Sequence, residues 1–396
     1  MLKGNCIIAQ SGGPTSVINA SLAGIITAAK DFKGIKKVLG MRFGIEGLLG
    51  GDIIDLGKLS SKTIKALNNT PSSALGSSRY KLTDADLPKI LAALKENDIR
   101  YIFFIGGNDT MDTINRIELY ARRQNYELAG IGVPKTVDND LFGTDHTPGF
   151  PSAARYVAIS VMQAGILARD MQKVDKFVIF QAIGRKAGWL AAAAAAGKRA
   201  PEDAPHILCL PERAFDKEKF LKNVKSCHDR YGFVSIVCGE GIAYADGSPV
   251  SASKTADRFS NVEFGAMGGT SAAMVLHRMI TDEFGWRGEF QIPESLIMCA
   301  ADRAVGLDIE EANMAGRAAV ELAKQGKSDL MVTLERGHGK RYRCTTGSIP
   351  LGEAAIKARP MPDEFISKDG DFVTDAFLDY IRPLVGELPQ YAGLDF

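Results

Sequence analysis

The sequence lacks an excess of charge of either sign, because 48 lysine and arginine residues nearly balance 47 aspartate and glutamate residues. A protein that binds nucleic acid or an anionic membrane through its overall charge carries a clear positive excess. The composition therefore argues against both kinds of partner. Any anion-binding site in this chain must be local.

Paired cysteines and long apolar runs are also missing. The six cysteines are scattered without a Cys-x-x-Cys pair, and no basic flank leads into an apolar signal core at the N-terminus. The most apolar windows, such as GWLAAAAAAG from Gly188, are well below the ~20 residues that span a bilayer. These absences predict a protein of the reduced cytoplasm with no membrane role.

Alternating strands, loops and helices make up what the sequence does contain. At 396 residues the chain exceeds the usual limit of one core, so we expect two lobes of roughly 150 to 200 residues. Segments such as IRYIFFIGGNDTMDTINRIELYARR pass from an apolar strand through glycines into a helix-period pattern. This predicts an α/β fold with two Rossmann-like lobes, each a mainly parallel sheet flanked by helices, and an active site in the cleft between them.

Polar loops follow three of the predicted strands at the edge where ligands collect in parallel sheets, and two of these loops contain a double glycine. Gly12 and Gly13 precede a helix, so backbone N–H groups could bind a phosphate there, although a double glycine is also typical of a plain tight turn. Asn108, Asp109 and Thr110 also follow a diglycine, and they suit a metal or phosphate site as well as a helix N-cap. Position and chemistry make both loops candidate sites.

The segment VPKTVDNDLFGTDHTPGF, from Val133, is the most unusual loop. Asp138, Asn139 and Asp140 are too polar for an ordinary sheet-to-helix connection, although an Asx-turn cluster is an alternative. Lys135 lies close by and could neutralise an anion that the carboxylates would otherwise repel. The loop therefore indicates a site for an anionic ligand.

Three more charged residues stand beside glycines at the ends of apolar segments, namely Arg79, Arg185 and Glu240. Each alone is typical of a surface charge. Together with Lys135 and Gly12 they supply the cations, N–H donors and carboxylates that phosphoryl transfer requires, because that chemistry depends on positioning and charge neutralisation.

The order of these motifs resembles that of the phosphofructokinase family along the whole chain. The matching segments are SGGPTSVINASLAG, LGSSR, GGNDT, PKTVDND, DHTPGF, GRKAGWLA, Pro211-Glu212, GEGI and YIRPLVGELPQY. ATP-using members have glycine where this chain has Asp109 and Lys135, and the pair found here is typical of the pyrophosphate-dependent branch. The resemblance implies reversible, Mg²⁺-dependent phosphate transfer from pyrophosphate to the 1-hydroxyl of fructose 6-phosphate, a glycolytic reaction, by a cytoplasmic homo-oligomer, either a dimer or a tetramer.

Charge and size favour the same donor independently. A carboxylate at Asp109 would occupy the place of a nucleotide's α-phosphate, so it would exclude ATP by overlap and by like-charge repulsion. Pyrophosphate has no α-phosphate. Lys135 would give this small, highly charged donor a compact ammonium partner.

The resemblance also implies a role for each candidate residue. The catalytic set is Asp138 as general base, Lys135, Asp109 and Arg185. The pyrophosphate-binding set is Gly12, Arg79, Thr110 and Lys135. The sugar-phosphate set is Thr136, Asp138, Ile183, Gly184, Arg185 and Glu240. Asn108 and Asp140 would lie near Mg²⁺, the implied cofactor.

Domain roles follow from the same resemblance. We expect residues 1–145 to form the donor lobe for pyrophosphate and Mg²⁺, completed by part of the C-terminal region. Residues 146–330 would form the acceptor lobe, and residues 331–396 a C-terminal segment with a last helix.

Two positions depart from the family pattern. Asn108 stands where many members have an aspartate near the metal. Mg²⁺ would therefore depend more on Asp140 and on the oxygens of the phosphate donor. The family usually has a Gln-Arg pair whose arginine holds the sugar's 6-phosphate, and this chain has Met298-Cys299. Arg303 or Lys176 could supply a replacement charge.

Fructose 6-phosphate is therefore the default acceptor, and three alternatives stay open. The same chemistry could act on another sugar or polyol phosphate. The protein could be a catalytically weak regulatory paralogue. An ATP-using relative of NAD or lipid kinases is the third, but GGNDT lacks the second-half glycine of that loop and the rest of the chain does not fit.

Overall fold

The computed structural model describes residues 2–78, 80–251, 253, 255, 268–339 and 341–392. The chain forms two compact units. Unit 1 comprises Met1–Ser152 and Met298–Arg359, and unit 2 comprises Ala153–Ile297 and Pro360–Phe396. Each unit contains its own β-sheet.

The regular elements are numbered in chain order. The described strands are β1 (Gly4–Gln10), β2 (Ile35–Met41), β3 (Ile53–Asp55), β4 (Ile99–Gly106), β5 (Ala129–Pro134), β6 (Phe177–Ala182), β7 (Ile207–Cys209), β8 (Val234–Gly239), β9 (Gly288–Gln291), β10 (Leu330–Arg336) and β11 (Cys344–Pro350). The described helices are α1 (Ile18–Lys30), α2 (Ile45–Gly50), α3 (Ser61–Leu67), α4 (Leu87–Glu96), α5 (Asn108–Arg123), α6 (Phe150–Asp170), α7 (Trp189–Ala193), α8 (Lys217–Tyr231), α9 (Ala272–Phe284), α10 (Leu296–Cys299), α11 (Gly306–Lys324), α12 (Leu351–Ile356) and α13 (Asp375–Val385). Among the described helices, none is both long enough and apolar enough to cross a membrane.

The sheet of unit 1 has the strand order β11-β10-β5-β4-β1-β2-β3. Its five central strands are parallel, and only the edge pairs β10/β11 and β2/β3 are antiparallel. Helices α1 and α11 cover one face, and α4, α5 and α12 cover the other. Because both faces are covered, the central strands carry nearly continuous apolar runs instead of alternating ones.

The sheet of unit 2 has the order β7-β8-β6-β9, and all of its described pairs are parallel. Helices α8 and α9 pack on it through apolar side chains. The side chains of Asp216 and Ser271 cap the N-termini of these helices, and Gly232 and Gly285 end them in the left-handed conformation. The predicted α/β class, with two mainly parallel sheets flanked by helices, is confirmed.

The sequence resemblance led us to expect residues 298–330 in the acceptor lobe. They lie in unit 1. The reason is a close contact between α1 and α11. A Cβ atom on Gly24 would lie 2.2 Å from the carbonyl oxygen of Asn313, and one on Gly316 would lie 2.2 Å from that of Ser21. Glycines on both helices let the backbones touch, and β10 then pairs with β5.

Candidate active site

Three polar loops of unit 1 follow neighbouring strands. Strands β1, β4 and β5 lie side by side and run in the same direction. The residues that follow them, Gly12, Asn108 and Lys135, are therefore at one edge of the sheet. The backbone N–H of Lys135 donates to the carbonyl of Gly106 at 3.0 Å, which joins the second loop to the third. Parallel pairing thus brings together three segments that are far apart in sequence.

Lys135 connects the third loop to the glycine turn of the first. Its side chain is buried, and its ammonium group donates to the carbonyl of Gly13 at 2.6 Å. Gly12 has a φ of +77°, where a side chain would be strained, and a Cβ there would lie 3.2 Å from Lys135 Nζ. Burial lowers the pKa of Lys135 to about 8, although the charges of Asp138 and Asp140 oppose this fall. An anion bound at the turn would favour the charged lysine.

Two side chains shape the loop that carries the aspartates. The hydroxyl oxygen of Thr136 accepts from the backbone N–H of Asp138 at 3.1 Å. Asn139 is fully buried in the left-handed conformation, which asparagine tolerates, and its side-chain oxygen accepts from Thr147 N at 3.1 Å. The Thr147 hydroxyl donates to the carbonyl of Thr136 at 2.6 Å. Thr147 therefore holds the loop on both sides of Asp138, and no motif in the sequence indicates this role.

Asp140 has the environment of a ligand for a hard cation. Burial raises its pKa and the charge of Asp109 adds to the rise, whereas Lys135 and a hydrogen bond from Thr136 oppose it. No cluster of three or more His, Cys, Asp or Glu residues suited to a metal occurs within the described chain. Mg²⁺ in phosphoryl transfer is usually held by one or two carboxylates together with phosphate oxygens. Asp140 fits a site of that kind.

The second loop opens helix α5. Asp109 is exposed in the first turn of this helix, and Thr110 behind it is buried. The side-chain nitrogen of Asn108 donates to the carbonyls of Ala354 at 2.8 Å and Lys357 at 3.0 Å. The amide of Asn108 is therefore engaged with the end of α12, a contact that no local sequence pattern predicts.

Unit 2 brings together a second group of predicted residues. Ile183, Gly184 and Arg185 follow β6, and Glu240 follows the neighbouring β8. The backbone N–H of Gly184 donates to Glu240 Oε1 at 3.3 Å. Burial raises the pKa of Glu240, and the N–H of Gly184 and the charge of Arg185 partly offset the rise. These four residues form one cluster at the carboxyl edge of the unit 2 sheet.

Two of the predicted features concern Arg79 and the Met298-Cys299 pair. Arg79 lies outside the described residues. The Ser77 hydroxyl, two positions earlier in the chain, donates to the carbonyl of Gly12 at 2.5 Å, so Ser77 contacts the glycine turn. The sulfur of Met298 lies 3.5 Å from where a Cβ of Gly13 would stand. Met298 is thus close to the glycine turn, and the link between Met298-Cys299 and the sugar's phosphate stays a prediction.

Comparison with known proteins identifies the family. Residues 5–289 match the family described as phosphofructokinase. All of the chain aligns, at 40% identity over 403 residues, with 95% of a pyrophosphate–fructose 6-phosphate 1-phosphotransferase from Xanthomonas campestris. A sulfofructose kinase from Alkalicoccus urumqiensis is 32% identical, with 91% of each chain covered.

A solved structure shows the same likeness in three dimensions. The pyrophosphate-dependent phosphofructokinase from Nitrosospira multiformis superposes with a TM-score of 0.88 at 37% identity, covering 99% of this chain and 95% of that one. Sequence and structure agree over nearly the full length. The chain therefore belongs to the phosphofructokinase family.

Proposed function

We propose that this phosphofructokinase-family phosphotransferase moves phosphate reversibly from pyrophosphate to the 1-hydroxyl of fructose 6-phosphate. The products are fructose 1,6-bisphosphate and phosphate. The observation that carries the proposal is the buried ammonium group of Lys135, which lies at the glycine turn next to the loop of Asp109. The relatives named for pyrophosphate support the same donor.

The donor side is suited to a small, dense anion. Gly12 in its left-handed conformation leaves the turn without a side chain, and Lys135 supplies one compact positive charge there. The exposed carboxylate of Asp109 would repel the α-phosphate of a nucleotide while leaving room for pyrophosphate, which has no α-phosphate. Binding in this way needs no contact to an adenine ring.

Asp138 is the proposed general base. The hydroxyl oxygen of the sugar forms a bond to a terminal phosphorus of pyrophosphate as its proton passes to the Asp138 carboxylate. The bond from that phosphorus to the bridging oxygen breaks, and phosphate leaves. Arg185 would stabilise the charge that develops on the transferred group. Mg²⁺, held by Asp140 and donor oxygens, would neutralise charge on the donor.

Glu240, Ile183 and Gly184 are the proposed sugar-binding residues. The Glu240 carboxylate is oriented by the N–H of Gly184, so it can accept from a sugar hydroxyl in a fixed direction. Its raised pKa reflects burial, and a hydroxyl donor would stabilise its ionised form. Thr136 would act mainly by holding the Asp138 backbone.

A second candidate function is the same transfer to another sugar or polyol phosphate. Met298 and Cys299 stand where the family usually has glutamine and arginine, so a charge for the 6-phosphate is missing. Lys176 already donates to the carbonyl of Gln172 at 2.7 Å. The sulfofructose kinase relative acts, by its name, on a sugar with a different anionic group.

A coupled assay that crosses two donors with several acceptors tests both candidates. We expect turnover with pyrophosphate and fructose 6-phosphate, and little with ATP. Turnover with pyrophosphate and a different acceptor would favour the second candidate. ATP turnover equal to or above that with pyrophosphate would contradict the donor assignment. Thermal stabilisation by ligands without any phosphorylated product would instead indicate a regulatory paralogue.

A further inference from the structure

We infer that Asn108 is a positioning residue, which fixes the spacing of the loops after β4 and β5 through the chain segment 354–359; the metal-ligand role expected from the sequence is the alternative. We call residues 354–359 the clasp. The role of the loops rests on the proposed function, whereas the contacts of the clasp do not. The Asn108 amide donates two hydrogen bonds to the clasp, one to Ala354 O at 2.8 Å and one to Lys357 O at 3.0 Å.

The chemistry of these partners determines which atom of Asn108 faces them. Both partners are backbone carbonyls, which only accept hydrogen bonds, so the facing atom must be the amide nitrogen. An aspartate at this position would set a carboxylate oxygen against two carbonyl oxygens and would be repelled. Asparagine supplies the donor that these two carbonyls need, and aspartate cannot supply it.

The other end of the clasp holds the third loop. The backbone N–H of Arg359 donates to the carbonyl of Asp140 at 2.8 Å. Its guanidinium donates to the carbonyls of Thr144, at 3.1 Å, and of Asp145. Ala358 also forms an antiparallel bridge with Leu141. A single short segment thus contacts the loop after β4 and the loop after β5.

The spacing that the clasp fixes matters for the proposed chemistry. Asp109 follows Asn108 directly where the loop after β4 opens α5, and Asp140 belongs to the loop after β5. Under the proposed function, the donor and its cation depend on both loops, so the spacing of the loops matters for turnover. Misplacement of a reacting group by about 1 Å can cost ~10²-fold in rate, so a loosened clasp should lower kcat.

The substitution Asn108→Asp separates the two roles because they predict opposite results. A metal ligand would gain a negative charge, so the Mg²⁺ concentration for half-maximal activity would fall and kcat would hold. A positioning residue would lose two hydrogen bonds and face repulsion, so kcat should fall about tenfold or more and Tm should drop, with the Mg²⁺ midpoint unchanged within about twofold. Asn108→Ala should show the same pattern more weakly.

Asn97→Asp is the matched control. Asn97 is also partly buried, and its amide donates to the carbonyl of Ala93 at 2.9 Å at the end of α4. This control should lose some stability and keep wild-type kcat. A second variant, Arg359→Gln, removes the guanidinium's hydrogen bonds to the carbonyls of Thr144 and Asp145. This variant should lower kcat without shifting the Mg²⁺ midpoint.

The stability readout is independent of the substrates. If the wild type proves inactive with pyrophosphate, the proposed function fails, but a larger loss of Tm in Asn108→Asp than in Asn97→Asp still supports the clasp. The inference is overturned if Asn108→Asp loses no more stability than the control. It is also overturned if Asn108→Asp retains kcat and needs less Mg²⁺.

Discussion

The ammonium group of Lys135 and the backbone carbonyl of Gly13 lie 2.6 Å apart, although the two residues belong to different loops of unit 1. Burial lowers the pKa of this lysine to about 8, so it is charged at neutral pH and loses its charge as pH rises through about 8. We expect kcat/KM for pyrophosphate to fall above that pH.

The same lowered pKa affects the stability of the fold. The charged form of Lys135 costs folding free energy at neutral pH, so the contribution of Lys135 to stability should rise between pH 8 and its ordinary pKa of 10.5.

Comparison with Lys135→Arg controls for the ionisation of pyrophosphate, which is common to both proteins. Arginine stays charged throughout this pH range, so the ratio of wild-type to variant kcat/KM should fall as pH rises. A ratio that is flat from about pH 7 to about pH 9.5 would show that Lys135 does not titrate there.

Asp109→Gly tests the choice of donor. Removing the carboxylate relieves its repulsion of a nucleotide but builds no adenine site. ATP should therefore remain a poor donor, and turnover with pyrophosphate should fall because Asp109 belongs to the proposed catalytic set. Steady-state kinetics with both donors measure the effect, and efficient ATP turnover by the variant would mean that Asp109 alone excludes the nucleotide.

Asp138→Asn tests the general base. The amide keeps the size of the side chain but cannot take a proton, so kcat should fall at least ~10²-fold while the KM values change less. Thr147→Val removes the hydroxyl that donates to the Thr136 carbonyl but keeps the Asp138 carboxylate, so it should lower kcat less than Asp138→Asn does. A mild effect of Asp138→Asn would place the base elsewhere.

The double change Met298→Gln with Cys299→Arg tests the acceptor. A restored charge-assisted contact is worth ~1.5–3 kcal/mol, so kcat/KM for fructose 6-phosphate should rise by roughly tenfold or more if a 6-phosphate binds there. Met298 also lies near the Gly13 turn, so kcat with pyrophosphate must be followed in parallel. Lower turnover with every acceptor tested would indicate that the pocket is adapted to an acceptor without a 6-phosphate.

His146 makes stability depend on pH. Its fully buried ring lies 2.9 Å from Asp145 Oδ2 and 2.7 Å from Glu311 Oε2. Burial alone would lower its pKa, but these two carboxylates raise it above the ordinary 6.5. The resulting stabilisation is complete below about pH 6.5 and is lost as pH rises through the raised pKa. The difference in unfolding free energy between wild type and His146→Gln should shrink over that rise, by at most ~1.4 kcal/mol per pH unit.

The sequence was sufficient for the strands that precede the polar loops and for those loops, because an apolar run and the polar residues that follow it are local signals. Gly12, Asn108 and Lys135 were placed at strand ends from such signals alone. The partners of those residues were not predictable. The Asn108 amide donates to carbonyls 246 and 249 residues away. Hydrophobic periodicity predicts local secondary structure but does not predict which distant carbonyl a side-chain amide will bind. The same limit applies to the assignment of residues 298–330, which depends on contact between α1 and α11.

The two pieces of unit 1 are separated in the chain by most of unit 2. During synthesis from the N-terminus, β5 is made long before β10, its neighbour in the sheet. Until β10 and α11 emerge, one edge of that sheet is open and the apolar face of α1 is uncovered, whereas β6 to β9 already suffice for the sheet of unit 2. An open strand edge invites pairing with other chains. The nascent protein should therefore be most prone to aggregation late in translation, and ribosome-bound chains stopped before residue 330 should require chaperones more than the finished chain.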